Sequence, residues 1–364
     1  MKKVEEVLKQ LVSFNTVGDE ENNKMINWIE KFCLDMGFKT KLMKNENDNN
    51  LCLVASSGNC KKNALIFSGH TDTVPAGDGW KTNPFELTQI NDVFYGLGSA
   101  DMKGGIASML VAISEIDLSN LNKGLELIFT YDEEKTFEGI KNVVENHLVS
   151  ADCILIGEPT SLKPVIATKG ALVFKINFIG KNAHGGNPEV GINAIEMASN
   201  FVMELKKYSE NLKNDNDYIF DSSSATINIA KINGGDAINK VPSSCLLEFE
   251  FRIINNKQNN KIHKDIISLI KQNNFKADIE MSFSLPIVKC QDKNFITVIE
   301  GITKNKVIGV NYATEASFFP NQNNFVILGP GSIKSAHKAN ESIAKSSLDK
   351  AVNLYKELIN KFCS

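Results

Sequence analysis

Short apolar runs recur along this chain, and each is followed by a loop that carries a histidine or an acidic side chain. The runs lie at about 64–68, 125–131, 153–156 and 325–328, and their lengths are typical of buried strands. Helices are expected in other stretches, at about 102–116, 137–149 and 293–302. Because strands that alternate with helices form parallel sheets covered on both faces, we predict an α/β fold with a mostly parallel sheet.

Between residues 169 and 286 the pattern becomes that of an antiparallel sheet with helices. We predict four strands and two helices there: strand 171–179, helix 193–208, strands 225–232 and 245–253, helix 259–273 and strand 276–283. A chain of 364 residues is long enough for two domains. The sequence therefore predicts a discontinuous α/β domain, residues 1–168 and 287–364, with an α+β domain inserted at 169–286.

Charge and cysteine usage exclude several classes of protein. The net charge is −3 and no long basic block is present, so we expect neither nucleic acid nor a membrane as partner. The N-terminus has the apolar spacing of an amphipathic helix rather than of a signal peptide, and a closing helix is expected at about 342–362. The seven cysteines form no Cys-x-x-Cys pair and are expected to be reduced thiols of a cytoplasmic protein. They are Cys33, Cys52, Cys60, Cys153, Cys245, Cys290 and Cys363.

Potential metal ligands follow all four apolar runs. His70 and Asp72 come after the first run, and Glu133 and Glu134 after the second. Glu158 follows the third run, and the loop after the fourth ends in His337. Parallel strands bring their carboxyl ends to one edge of a sheet, where ligands of α/β proteins bind. We therefore expect these side chains to line one cavity.

A glycine-rich stretch, Tyr95-Gly-Leu-Gly-Ser-Ala-Asp101-Met-Lys-Gly-Gly105, carries one more acidic residue. Asp101 stands where a dinucleotide-binding loop has its third glycine, and a carboxylate there argues against a bound pyrophosphate. Asp101 could serve only as a helix N-cap. The dense glycines indicate instead that the backbone comes close to another group.

Two histidines and three carboxylates match the ligand count of two zinc ions that share one carboxylate. Imidazole and carboxylate groups suit Zn²⁺, and no thiolate is present to make a closed structural site. A pair of metal ions polarises a carbonyl and activates water at neutral pH. Glu133, beside a candidate ligand, is in the right place to act as general base and then as proton donor to the leaving amine.

Together these motifs resemble the co-catalytic zinc metallopeptidase family that includes acetylornithine deacetylase, succinyl-diaminopimelate desuccinylase and carboxypeptidase G. The similarity runs from about residue 60 to 345, in the same order and spacing. It implies that His70 and Glu158 hold one zinc ion, that Glu134 and His337 hold the other, and that Asp101 bridges them. Cobalt is able to substitute for zinc in such a site.

The resemblance also implies roles outside the metal ligands. Asp72 would orient His70, and Glu133 would be the base. The inserted domain would act as a lid or form a homodimer. From that domain His184 would stabilise the oxyanion, since an imidazole N–H can be aimed at developing negative charge.

Within the family, four segments are most similar to acetylornithine deacetylase: residues 157–164, 233–239, 311–316 and 328–337. This implies removal of acetyl from N2-acetyl-L-ornithine in arginine biosynthesis. A related deacylase acting on acetylcitrulline or succinyl-diaminopimelate, a dipeptidase, and a non-catalytic binding protein of the same fold remain alternatives. The glycine after His184, where a small hydroxyl residue is expected, and the lack of a proline soon after Arg252 depart from the family pattern.

Arg252 is the only arginine among 40 lysine and arginine residues. Lysine cannot reproduce the bidentate grip of a guanidinium on a carboxylate. We therefore expect Arg252, together with Asn239, to bind the α-carboxylate of the substrate. Glu315 is a candidate partner for a substrate ammonium group.

Overall fold

The computed structural model describes residues 3–18, 22–45, 49–57, 63–319 and 324–364. The chain divides into two compact units. Unit 1 comprises Met1–Ile166, Lys289–Ile308 and Thr314–Ser364, and unit 2 comprises Ala167–Val288 and Gly309–Ala313. The boundaries differ by two residues from the predicted ones, and residues 309–313, expected in the α/β domain, belong to unit 2.

The first part of the chain alternates helices with strands. Its helices are α1 (Val4–Val12), α2 (Asn23–Asp35), α3 (Lys103–Ser114) and α4 (Glu138–Asn146). Its strands are β1 (Lys39–Lys44), β2 (Leu51–Ser57), β3 (Asn63–His70), β4 (Thr88–Ile90), β5 (Val93–Tyr95), β6 (Gly124–Thr130), β7 (Ala151–Pro159) and β8 (Val165–Thr168).

Unit 2 contains the antiparallel sheet that the sequence predicts, with two helices packed on it. Its strands are β9 (Gly170–Ile179), β10 (Ala183–His184), β11 (Thr226–Gly234), β12 (Lys240–Val241), β13 (Ser244–Ile253) and β14 (Ala277–Leu285), and its helices are α5 (Ala194–Leu212) and α6 (Asn256–Gln272). The main sheet has the order β11-β13-β9-β14 with antiparallel pairs throughout. Its core is rich in phenylalanine, including Phe174, Phe178 and Phe249. The short β10–β12 pair is not predicted by the sequence pattern.

The last part of the chain returns to the α/β pattern. It contains β15 (Val288–Lys289), β16 (Ile308–Val310), β17 (Phe325–Gly329), β18 (Ser342–Ala344), α7 (Lys293–Thr303) and α8 (Lys345–Cys363). The closing helix was expected from residue 342, but residues 342–344 pair with β5 as a strand and α8 begins after them.

The central sheet of unit 1 is parallel in its middle and antiparallel at both sides. Its order is β1-β2-β6-β3-β7-β17-β8-β15, with β16 also paired to β8, and β6, β3, β7 and β17 run parallel to one another. Every residue of β6 is buried, as expected for a strand covered on both faces. Helices α3 and α8 pack on the central strands, and α2 and α4 pack on β1 and β2. The prediction of an α/β fold with a mostly parallel central sheet is confirmed.

Two smaller predictions concern membranes and thiols. Among the helices that the structure describes, none combines the length and the hydropathy needed to cross a membrane. Among the described residues six cysteines are buried and are not joined in disulfides. Cys60 lies outside the described residues.

Candidate metal centre

Parallel register brings the ends of three central strands of unit 1 to the same edge of the sheet. His70 is the last residue of β3 and lies opposite Thr130, the last residue of β6. Ser68 of β3 lies opposite Ile156 of β7, so Glu158 near the end of β7 stands beside His70. After β6 the chain turns at Asp132, which has a left-handed backbone with φ of 64°. Asp and Asn tolerate this conformation better than most residues.

The side chains at this edge form two groups of three candidate metal ligands. In each group the ligand atoms lie within 4.8 Å of one another. The first group is His70, Asp101 and Glu158, and the second is Asp101, Glu134 and His337. The edge therefore brings together all five predicted ligands.

Asp101 contributes one carboxylate oxygen to each group. Its Oδ1 atom is 3.4 Å from Nε2 of His70, and its Oδ2 atom is 3.4 Å from Nε2 of His337. Glu158 Oε1 lies 3.7 Å from Nε2 of His70, and Glu134 Oε1 lies 2.9 Å from Nε2 of His337. His70, Asp101 and Glu158 are buried, whereas the His337 side chain is 52% exposed. The second group is thus the one open to solvent.

Crowding of charge at this edge perturbs several pKa values. Burial, reinforced by the charge of Asp101, raises the pKa of Glu158 well above its usual range. Burial and the neighbouring carboxylates also raise the pKa of Glu133. Hydrogen bonds to Asp101 and Glu134 raise the pKa of His337 to about 10. Burial would lower the pKa of His70, but the surrounding carboxylates outweigh burial and raise it.

These shifts indicate how well a pair of cations fits the site. Carboxylates held this close repel one another, and hydrogen bonds to His70 and His337 offset part of that repulsion. Cations between the two groups would offset it directly. The donor set, imidazole nitrogen and carboxylate oxygen without thiolate, is one that divalent zinc accepts. The residues present therefore fit two metal ions.

Asp72 connects the loops that follow β3 and β6. Its carboxylate oxygens accept the backbone N–H groups of Glu133 at 3.3 Å and Glu134 at 3.2 Å. Nδ1 of His70 lies 3.0 Å from the backbone carbonyl oxygen of Asp72 and 3.4 Å from its carboxylate. The orienting partner predicted for His70 is therefore the main chain of Asp72 at least as much as its side chain.

Glycine is required where helix α3 meets the strand that carries Glu158. A Cβ atom at Gly105 would lie 2.2 Å from the carbonyl oxygen of Gly157. Gly98, in the loop before Asp101, has a φ of 74°, and a Cβ there would lie 2.8 Å from the Thr73 side chain. The close approach expected from the glycine-rich stretch is thus a contact of backbone with backbone and with neighbouring side chains.

Glu315 does not present its carboxylate to a ligand. It is 1% exposed, and the hydroxyl groups of Ser68, at 3.1 Å, and of Thr130 donate to it. Burial raises its pKa. The carboxylate is therefore buried among the strand ends of unit 1, and its contact with a substrate ammonium stays a prediction that this burial does not support. Sequence spacing gives no sign of this burial.

In unit 2, His184 is exposed at the end of β10. The backbone N–H of Gly186 donates to Nδ1 of His184 at 3.0 Å. Because Nδ1 accepts, the proton of the neutral imidazole lies on Nε2. Gly185 donates its N–H to the carbonyl of Asn239, and a Cβ at Gly185 would lie 2.9 Å from the Asn239 backbone. This close contact explains the glycine that departs from the family pattern.

Arg252 and Asn239 belong to different parts of unit 2: Arg252 lies on β13 of the four-stranded sheet, and Asn239 precedes β12 of the separate β10–β12 pair. Arg252 pairs with Ala171 near the end of β13, whereas Lys240, next to Asn239, pairs with His184 beyond the start of β13. Asn239 comes before the start of β13, and β13 spans about 26 Å from Ser244 to Arg252 at ~3.3 Å per residue. The structure therefore does not bring these two side chains of one chain together, and their joint binding of the substrate carboxylate stays a prediction. The Arg252 guanidinium instead donates to Glu250 at 2.8 Å.

Two buried charged residues beside the candidate metal ligands are not predicted by the sequence pattern. Glu341 is 2% exposed and Lys103 is 1% exposed. Burial raises the pKa of Glu341 to about 7 and lowers the pKa of Lys103 to about 7. A single acidic residue four positions after His337 carries no pattern that would reveal its burial. Lys103 stands within the glycine-rich motif, but its type suggests a solvated side chain.

Comparison with known proteins gives a consistent match. Residues 66–361 match the model of peptidase family M20/M25/M40. An acetylornithine deacetylase of Buchnera aphidicola is 34% identical, over 98% of this chain and 97% of that protein. An acetylornithine deacetylase of Pasteurella multocida is 32% identical, over 95% and 93%.

Solved structures share the fold at lower identity. A tripeptidase of Staphylococcus aureus superposes with a TM-score of 0.82 at 21% identity, over 99% of this chain and 98% of that one. An M20 family metallo-carboxypeptidase of Sulfolobus solfataricus gives 0.80 at 18% identity, over 100% and 99%. A Bacillus subtilis protein described as a dinuclear metal binding peptidase gives 0.70 at 13%, over 98% and 96%.

Proposed function

Because this chain belongs to peptidase family M20/M25/M40 and is a hydrolase of linear amide bonds, we propose that it deacetylates N2-acetyl-L-ornithine at a pair of zinc ions. The observation that carries the proposal is the sharing of Asp101 by two ligand groups, with Glu133 beside them. Identity of 32–34% to proteins named acetylornithine deacetylase supports this substrate. The products would be acetate and L-ornithine, in arginine biosynthesis.

His70, Asp101 and Glu158 would hold one ion, and Asp101, Glu134 and His337 the other; when bound, the ions would supply the Lewis acidity that polarises an amide carbonyl and activates water. Cobalt would be accepted by the same donors. Glu133 takes the proton of the attacking water and passes it to the leaving amine. Burial raises the pKa of Glu133, which makes its carboxylate a stronger proton acceptor. Asp72 holds the backbone of Glu133 and so sets the reach of the base.

The proposed roles in unit 2 concern the substrate. His184 donates Nε2–H to the developing oxyanion, and the bond from Gly186 supports this tautomer. Arg252 binds the α-carboxylate without help from Asn239 of its own chain. Its bond to Glu250 uses one of the five N–H donors of a guanidinium. Asn239 is then a separate polar contact near His184.

We further propose that unit 1 is the catalytic domain and that unit 2 acts as a lid and forms a homodimer. Two observations support an interface on unit 2. Its outer strands β11 and β14 each have one edge left without a partner within the described sheet, and Val190, Ile192 and Ile238 are exposed apolar residues. The buried cysteines, which are not joined in disulfides in the described part of the chain, support a cytoplasmic location.

The proposal is tested by metal content and turnover on one preparation of the full chain. We expect two zinc ions per chain and a higher kcat/KM for N2-acetyl-L-ornithine than for acetylcitrulline, succinyl-diaminopimelate or a dipeptide. Glu133→Gln should lower kcat by about 10²–10⁴-fold with unchanged metal content. Glu138→Gln, a matched change on nearby α4, should leave kcat unaltered.

Other results would contradict particular parts of the proposal. A chain that binds metal but prefers another acyl amino acid would refute the substrate and leave the hydrolase standing. A chain with full activity after Glu133→Gln would refute the assigned base. A chain that binds two ions and turns over none of these amides would fit a binding protein of this fold.

A further inference from the structure

Glu341 lies across a short ladder from the loop that carries Asp101. Strand β18 pairs with β5 so that Ser342 lies opposite Tyr95. Glu341, just before β18, therefore lies opposite Gly96, just after β5. The backbone carbonyl of Glu341 accepts the N–H of Gly96 at 3.1 Å. The side chain of Glu341 extends along the loop formed by residues 96–101.

Three backbone N–H groups of this loop converge on the Glu341 carboxylate. Gly98 donates to Oε2 at 2.8 Å, and Ala100 and Asp101 donate to Oε1 at 2.8 and 2.9 Å. Glu341 is 2% exposed, so these bonds replace its hydration. Bonds from N–H groups to an ionised carboxylate are stronger than those between neutral groups. Lys103 is buried close by, and its attraction to Glu341 partly opposes the effect of burial on the Lys103 pKa.

The third bond is donated by the backbone N–H of Asp101, the residue that both ligand groups share. Asp101 must present one oxygen to each group, which requires a fixed backbone at that residue. Gly98, with its φ of 74°, contributes little rigidity of its own. Glu341 also follows His337 by four residues, so one loop supplies a ligand of the second group and the anchor of Asp101.

We propose that Glu341 is a positioning residue of the metal centre, which holds the 96–101 loop so that Asp101 bridges the two ligand groups. The inference rests on the proposed function, because Asp101 has to be placed between ions only if ions bind. Glutamine cannot replace the carboxylate here. Its NH₂ group would face a backbone N–H that also needs an acceptor.

The test compares Glu341→Gln with Glu126→Gln in the metal-free full chain. Glu126 is a matched control, because it is also 2% exposed, lies in unit 1 and accepts hydrogen bonds, from the Ser56 hydroxyl and the His147 ring. Zinc affinity is measured by calorimetry, and Co²⁺ is added as a spectroscopic probe of ligand geometry. We expect Glu341→Gln to weaken zinc binding by about 10–100-fold and to change the cobalt spectrum. Glu126→Gln should change neither.

The outcomes separate this inference from the proposed function. If the parent chain binds two ions and Glu341→Gln binds them within twofold as tightly, the positioning role is refuted and the proposed function stands. If the parent binds no metal, both are refuted. If Glu341→Gln fails to fold, hydrogen exchange in the parent decides. Unprotected amides at Gly98, Ala100 and Asp101 would then refute the role, and protection well above that of exposed loops would support it.

Discussion

Glu315 illustrates how the ionisation of one buried side chain sets a pH dependence for the whole unit. Burial raises its pKa above the usual value for glutamate. Its proton is therefore held more tightly in the folded state than in the unfolded state. The stability that this group contributes is fully present below the unfolded pKa, near ~4.3, and is lost as the pH rises through the folded pKa.

We predict that Glu315→Gln removes the loss of stability that Glu315 causes as the pH rises. The variant should gain stability relative to the parent as the pH rises from 4.5 to 8, measured by urea unfolding of the metal-free chain. Glu300→Gln is a control, because the pKa of Glu300 is shifted in the opposite direction and its effect on stability should have the opposite pH dependence. The hydrogen bond from Lys306 lowers the pKa of Glu300, so its contribution is present at neutral pH and lost on acidification. Parallel pH curves for the parent and Glu315→Gln would contradict the prediction.

Arg252 offers a second prediction at the level of one residue. Lysine keeps the charge but loses the planar pair of donors, so Arg252→Lys should weaken binding of the substrate carboxylate. We expect KM to rise about tenfold, equivalent to ~1.4 kcal/mol, with kcat within twofold. Lys231→Arg, the reverse change in the nearby pair with Glu248, serves as control in steady-state assays. An unchanged KM for Arg252→Lys removes the carboxylate contact from the proposal.

At the level of elements, the packing of α3 against β7 depends on two facing glycines. A Cβ at Gly105 would meet the Gly157 carbonyl, which is backbone and cannot move aside cheaply. We predict that Gly105→Ala lowers the free energy of unfolding by at least 1–3 kcal/mol, the usual range for overpacking. Gly301→Ala in α7, where nothing lies within 4 Å, should raise it by about 0.5–1 kcal/mol. Urea unfolding of both variants checks the signs, and a neutral Gly105→Ala would refute this account of the contact.

The long strands of both sheets could be predicted from sequence, whereas the short strands and the long-range pairings could not. Long apolar or alternating runs identified β3, β6, β7, β9 and β13, because burial on a pleated face fixes residue type. Strand β18 has only three residues, too few for a period to appear. The anchoring by Glu341 and the separation of Arg252 from Asn239 both depend on strand register over long sequence distances. No local pattern encodes that register.

At the level of the whole molecule, all five candidate ligands belong to unit 1, so metal should stabilise the two units unequally. Zinc at 100 times its dissociation constant adds about 2.7 kcal/mol for one site. We predict that chelation speeds hydrogen exchange in β3, β6 and β7 and leaves β9 and β13 unchanged. Mass spectrometry with and without zinc measures both sets of peptides in one sample. Equal acceleration in both units would contradict the prediction.

The position of β17 in the central sheet has a consequence for biosynthesis. This strand lies between β7 and β8, although 165 residues separate Pro159 from Phe325 in the chain. As the polypeptide leaves the ribosome, the four-stranded sheet of unit 2 has all of its strands once Leu285 emerges. The larger sheet must wait, its β7 edge unpaired, until Gly329 follows. The nascent chain therefore has every strand of the inner sheet before it can finish the outer one, and one edge of β7 stays open to unwanted strand pairing in the interval.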